Sequence, residues 1–163
     1  MNEFLNLPPL RKPRKVKPKP TPIPQWCKQR YIDAHQLSFS QVVKDAGHTF
    51  KTTIPKQDTN GLQQTIVKFL LWNGHRATRI SSAGRYIAKI QKWIPGPTRS
   101  GSADISATIK GRSVMLEAKV DLDSPSPDQI REQELERRAG GCYEFIKTFE
   151  QFLIFYDKFI QSC

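Results

Sequence analysis

The sequence predicts an α/β domain preceded by a basic, proline-rich arm, and three observations carry that prediction. Helical and strand periodicities alternate from Gln57 onward, the composition shifts after about residue 30, and one hairpin sorts its polar and apolar residues onto opposite faces. The length of 163 residues suits one modest domain with a tail. Hydrophobic residues make up 37% of the chain, and the shortfall against a globular norm falls mostly in the first thirty residues.

Those residues, 1–30, hold eight Lys or Arg against the single acid Glu3, with seven prolines from Pro8 to Pro24. Such a segment has too little apolar surface to offset the entropy of folding alone, so a disordered arm is expected, with Lys12, Arg14 and Lys15 placed to meet phosphates. Residues 31–56 read as a connector with a short helix around 40–46, and residues 57–163 as the folded domain.

The domain's elements follow in order. Residues 62–73 carry Leu62, Ile66, Val67, Phe69, Leu70 and Leu71 on a wide apolar face, and Gly74 stops the helix. Residues 76–81 and 85–93 alternate as two strands around the turn Ser82-Ala83-Gly84, and a Pro/Gly-rich loop, 95–101, comes next. Residues 103–109 and 113–120 form a hairpin around Lys110-Gly111, a pair suited to a type I′ turn. Ser126 caps a polar helix with Pro127 in its first position, ending at Gly140-Gly141. A strand at 142–147 precedes a last helix capped by Thr148, with Gln151 at capping-box spacing and Phe149, Phe152, Leu153, Tyr156, Phe159 and Ile160 on one face.

Composition narrows the partners. The chain has 26 Lys and Arg against 15 Asp and Glu, a formal net charge of +11, which a fold does not need and a polyanion rewards. DNA or another nucleic acid is the first candidate, ahead of a ribosomal or anionic membrane surface. No apolar run approaches the roughly 18 residues of a membrane span, and no secretory signal is visible, so a cytoplasmic protein is expected. Cys27, Cys142 and Cys163 are widely spaced with no C-x-x-C pair, which argues against a disulfide framework or structural zinc.

Chemistry concentrates on the hairpin. A two-residue turn at Lys110-Gly111 sets Ile109 opposite Arg112 and, counting back, Asp104 opposite Glu117. One face then holds Asp104, Ser106, Thr108, Ser113, Met115, Glu117 and Lys119, and the other holds the apolar set from Ile105 to Val120. Opposed carboxylates repel unless a cation lies between them, so the pair suits a divalent metal, with Lys119 in reach of the same point. Carboxylates, a metal and a lysine are the parts needed for metal-assisted phosphodiester hydrolysis. Taken alone, the hairpin also fits a solvated face with an ion pair from Lys119 to Glu117 or Asp104.

The run Gly101-Ser102-Ala103-Asp104, then Glu117-Ala118-Lys119, then Ser126-Pro127-Asp128-Gln129 resembles the PD-(D/E)XK nuclease superfamily, and more narrowly the stand-alone VRR-NUC domains of phages and bacteria. The resemblance spans about residues 62–160. It implies a restriction-endonuclease-like mixed central sheet flanked by helices, and a Mg²⁺- or Mn²⁺-dependent DNA endonuclease in a bacterium or phage-infected cell. It also implies that Asp104 and Glu117 bind metal, that the Ala118 backbone carbonyl adds a ligand, that Lys119 serves catalysis, and that Gln129 points into the site. Many members supply a further acid near the start of the first core helix. This chain has Asp58, Gln63 and Gln64 there instead, which favours one metal over two. A catalytically silent nucleic-acid-binding module on the same fold is the alternative.

Among the remaining residues, Arg76, Arg79, Arg85, Lys89 and Arg99 form a candidate basic rim, with Arg79, Arg85 and Arg99 as DNA contacts. No base-reading motif accompanies them, so selectivity for DNA structure with little sequence specificity is expected. Tyr86 and Trp93 read as core aromatics rather than base-stacking platforms, and His35, His48 and His75 lack ligand spacing. Ile154 and Phe155 widen the last helix's apolar surface, which leaves deep burial or a homodimer contact as readings.

Overall fold

The computed structural model describes residues 22–39, 51–81, 84–94, 96 and 98–162. Lys12, Arg14, Lys15 and the short helix expected around 40–46 lie outside these residues. Among the described residues eleven elements follow in chain order: α1 (Gln25–Leu37), α2 (Thr59–Trp72), β1 (Arg76–Arg79), β2 (Arg85–Ile87), a 3-10 turn (Ala88–Ile90), β3 (Lys92–Ile94), β4 (Ile105–Ile109), β5 (Arg112–Ala118), α3 (Pro127–Arg138), β6 (Cys142–Ile146) and α4 (Phe149–Gln161).

The central sheet has the order β1-β4-β5-β6, antiparallel through its first three strands and parallel between β5 and β6. It is therefore the mixed sheet flanked by helices that was expected. Lys110 and Gly111 both take positive φ, 50° and 80°, as a type I′ turn demands. The resulting register, from Ile109 opposite Arg112 to Ile105 opposite Leu116, is the anticipated one.

One face of the sheet packs against α2 and α4, and α1 sits on those two helices; Leu62, Ile66, Phe69, Ile105, Ile109, Leu116, Phe149 and Phe152 are almost wholly buried there. Phe69 lies edge-on to Phe149, Phe152 and Tyr156, so α2 and α4 meet through an aromatic cluster. The helix α3 buries none of its residues and contributes nothing to that core. Its Gln129 reaches Glu117 on the opposite face.

Three expectations need correction. The arm does not extend to residue 30, because α1 begins at Gln25, with Pro24 at its N-cap. Prolines stop at that point, and Cys27, Tyr31 and Ala34 recur at helical spacing to enter the core. Arg30 binds Asp157 of α4 through both terminal nitrogens and lies over the rings of Phe69 and Tyr156. Second, residues 85–93 are not one strand. The 3-10 turn and the left-handed Gln91 (φ 48°) fold them into a separate hairpin that pairs Arg85 with Ile94 and Ile87 with Lys92. Third, Tyr86 is 57% exposed rather than core, because that small sheet lies outside the main packing layers. Leu71 and Ile154, assigned above to wide apolar faces, are also about half exposed, whereas Phe155 packs at the core's margin. Among the described residues no helix is long and apolar enough to cross a membrane.

Candidate metal centre

Asp104 lies just before β4 and Glu117 near the end of β5, so continuing the hairpin register places them side by side. The backbone holds both. The Asp104 N–H donates to Glu117 Oε2 at 3.0 Å, and the Ala118 N–H donates to Asp104 Oδ2 at 3.0 Å. Each carboxylate is thus fixed by an amide from the opposite strand, a donor the sheet already holds in place. The remaining oxygen of Glu117, Oε1, accepts from Gln129 Nε2 and lies 3.3 Å from Lys119 Nζ.

Gln129 reaches that point because α3 starts in a capping box. Ser126 Oγ accepts from the Gln129 N–H, and Gln129 Oε1 accepts from the Ser126 N–H at 2.9 Å. Its amide nitrogen is left to bind Glu117, so one side chain joins the helix cap to the carboxylate. The preceding loop is pressed against the same turn. Gly101 has φ +85°, and a Cβ there would meet the Asp128 carbonyl and lie 2.9 Å from the Gln129 nitrogen. Glycine is needed at this position both for conformation and for space.

Burial sets the electrostatics. Glu117 and Lys119 are each 6% exposed. Desolvation foremost, then the neighbouring Asp104 charge, pushes the Glu117 carboxyl up to about 6, with Lys119 pulling the other way. Lys119 also pairs with Asp123 at 3.2 Å, so its ammonium lies between two carboxylates. The sequence reading missed Asp123, whose only signal was its i,i+4 spacing from Lys119 across an irregular loop. It also missed Tyr143, buried on β6, whose hydroxyl donates to the Gly101 carbonyl at 3.2 Å. Burial and then the charges of Glu117 and Asp104 push the Tyr143 phenol up, so it stays a neutral donor beside the pair. Alternation in β6 is readable, but the parallel register that sets Tyr143 beside Met115 is not.

The donor set fits a hard divalent cation. Mg²⁺ and Mn²⁺ prefer oxygen, and Mg²⁺ is commonly held by one or two carboxylates with water and phosphate completing the shell. Asp104 Oδ1 accepts no hydrogen bond among the described residues, and a cation would relieve the repulsion that raises Glu117. No group of three or more His, Cys, Asp or Glu among the described residues is arranged to hold a metal. Of the two candidates for a further helix ligand, one is an acid already engaged in the helix cap and the other is an amide. Asp58 caps α2 by accepting from the Gly61 N–H at 2.9 Å, and Gln63 is a buried amide.

The expected basic rim is only partly assembled. Arg99 is largely exposed and pairs with Glu132 of α3 at 3.5 Å. Arg79 pairs with Ile105 in the sheet, hence on the face opposite Asp104, and donates to Asn60 of α2. Arg85 lies in β2. His75 bonds the Tyr156 hydroxyl at 2.9 Å, away from the carboxylates.

No family model and no curated protein matches the chain. A solved structure titled "VRR_NUC domain" is similar to it at 22% identity, covering 63% of this chain and 94% of that one, with a TM-score of 0.45.

Proposed function

We propose that this chain is an endonuclease that hydrolyses DNA phosphodiester bonds with Mg²⁺ or Mn²⁺ held by Asp104, Glu117 and the Ala118 backbone carbonyl. The observation that carries the reading is the Asp104–Glu117 pair, cross-braced by backbone amides beside a buried lysine. Paired acids on a solvated hairpin face would not be held in this way, nor would Glu117 and Lys119 be nearly free of solvent contact. When bound, the metal supplies Lewis-acid polarisation of the phosphate and a more acidic water.

The chain's own residues do the rest. Gln129 fixes the rotamer of Glu117, so the carboxylate keeps its aim as substrate arrives. Lys119 offers an ammonium to negative charge developing on the phosphate, and Asp123 holds that ammonium in place. Arg99, Arg85 and the arm cations Lys12, Arg14 and Lys15 add phosphate contacts without base readout, which supports selectivity for DNA structure over sequence. The setting this implies is the cytoplasm of a bacterium or of a phage-infected cell.

A second reading, a silent binding module on the same fold, draws on the lack of a third acid among the described residues. A DNA panel of linear duplex, single strand, flap and four-way junction separates the two. Cleavage with Mg²⁺ or Mn²⁺ that stops in EDTA and in Asp104→Asn supports the nuclease. DNA binding without cleavage in any metal sinks it.

A further inference from the structure

The polar face of the sheet continues beyond the metal centre, and half of it is open. On β4 the alternation that presents Asp104 also presents Ser106 and Thr108, whose β1 partners are Thr78 and Arg76. Thr78, Arg76 and Thr108 are exposed and Ser106 is half-buried. The helix α3 instead lies over the β5–β6 side, where Gln129 meets Glu117, and Gln133 and Arg137 bond the Tyr143 carbonyl. A lane of hydroxyls therefore runs from Asp104 along β4 and β1.

That lane ends in a surface cavity of about 550 Å³ whose lining includes His75, Arg76, Thr108, Lys110 and Gly111. No acid lines it, and among the described residues neither Arg76 nor Lys110 forms an ion pair. The Lys110 charge is close enough to help burial lower the His75 pKa. Two exposed cations, a threonine hydroxyl and a glycine that admits close approach make a phosphate-binding set.

We infer that this cavity binds a backbone phosphate of the nucleic acid engaged at Asp104 and Glu117, with Thr78 and Ser106 lining the path between. The inference rests on the nuclease reading and deepens it by assigning the direction in which the strand leaves the metal centre. Asp104 and Thr108 are four residues apart on one strand, about 13 Å at about 3.3 Å per residue. A duplex covers that span in about four base-pair steps of about 3.4 Å each. The bound phosphate therefore lies several nucleotides from the scissile one, which it helps to position.

The test measures DNA binding by fluorescence anisotropy in EDTA, across a salt series, for full-length wild type, Arg76→Ala, Lys110→Ala and the double variant. Both residues are on the surface, and an unchanged urea midpoint verifies folding. Each single variant should lose about threefold in affinity and lower the salt slope by about 1, whatever the DNA sequence, and the double variant should lose about tenfold. Inorganic phosphate should shift the His75 ring signals in NMR spectra of the wild type and not of the double variant. Wild-type binding and cleavage with an unchanged double variant would overturn the cavity's role and leave the nuclease standing. Phosphate shifts at His75 without any effect of the variants on DNA binding would mark a free-phosphate site and overturn the nucleic-acid assignment. Failure of the wild type to bind or cleave any DNA would overturn both.

Discussion

Glu117 makes the metal-free protein sensitive to pH in a defined window. Its carboxyl is raised from an ordinary value of 4.5 to about 6, chiefly by burial and then by Asp104. The folded state therefore holds a proton that the unfolded state has released, and stability is lost as pH climbs from about 4.5 to about 6. A displacement of that size corresponds to about 2 kcal/mol, and at 7% side-chain exposure solvent screening reduces it little. The perturbation is Glu117→Gln, which cannot ionise. Its hydrogen-bond losses shift stability by an amount independent of pH, so they cancel when the two proteins are compared along a pH series. Urea unfolding in EDTA from about pH 4 to about 7 should show wild type losing about 2 kcal/mol relative to Glu117→Gln across the window. Saturating Mn²⁺ should remove that loss, because the metal binds the charged form. A stability difference that is flat with pH, or that grows in favour of wild type without metal, would refute the desolvation argument.

Two further perturbations test how the site is supported. Gly101→Ala places a methyl against the Asp128 carbonyl at a positive φ, so about 2–4 kcal/mol of stability should be lost and cleavage should fall as Gln129 leaves Glu117. Urea unfolding and a cleavage assay would measure this, and wild-type values in both would contradict the close packing. Tyr31→Ala removes a fully buried ring packed edge-on to Trp72 and Phe149, and should cost about 3–5 kcal/mol. A loss under about 1 kcal/mol by the same method would mean that α1 is not part of the cooperative core.

The parts of the structure that were legible in the sequence are those whose information is local. Lys110-Gly111 and the strict alternation on either side determine the hairpin register, and with it the meeting of Asp104 and Glu117. Ser126 and Gln129 sit three apart, so the capping box that aims Gln129 is also written in a short span. The rest depends on contacts between distant segments. Tyr143 reaches the site through a parallel pairing, which no turn specifies. The helix α1 was hidden because averaging charge and proline over thirty residues masked the spacing of Cys27, Tyr31 and Ala34. Residues 85–93 alternate well enough for one strand, and only the left-handed Gln91 reveals that they double back. Arg79 shows a limit of counting cations, since strand alternation sends it to the face away from the carboxylates.

Calorimetric titration of Mn²⁺ into the metal-free protein asks whether Asp104 and Glu117 together hold one divalent cation. A single ion per chain is expected, lost in Asp104→Asn and in Glu117→Gln while both variants remain folded. Undiminished Mn²⁺ binding in either variant, or no binding by the wild type, would contradict it.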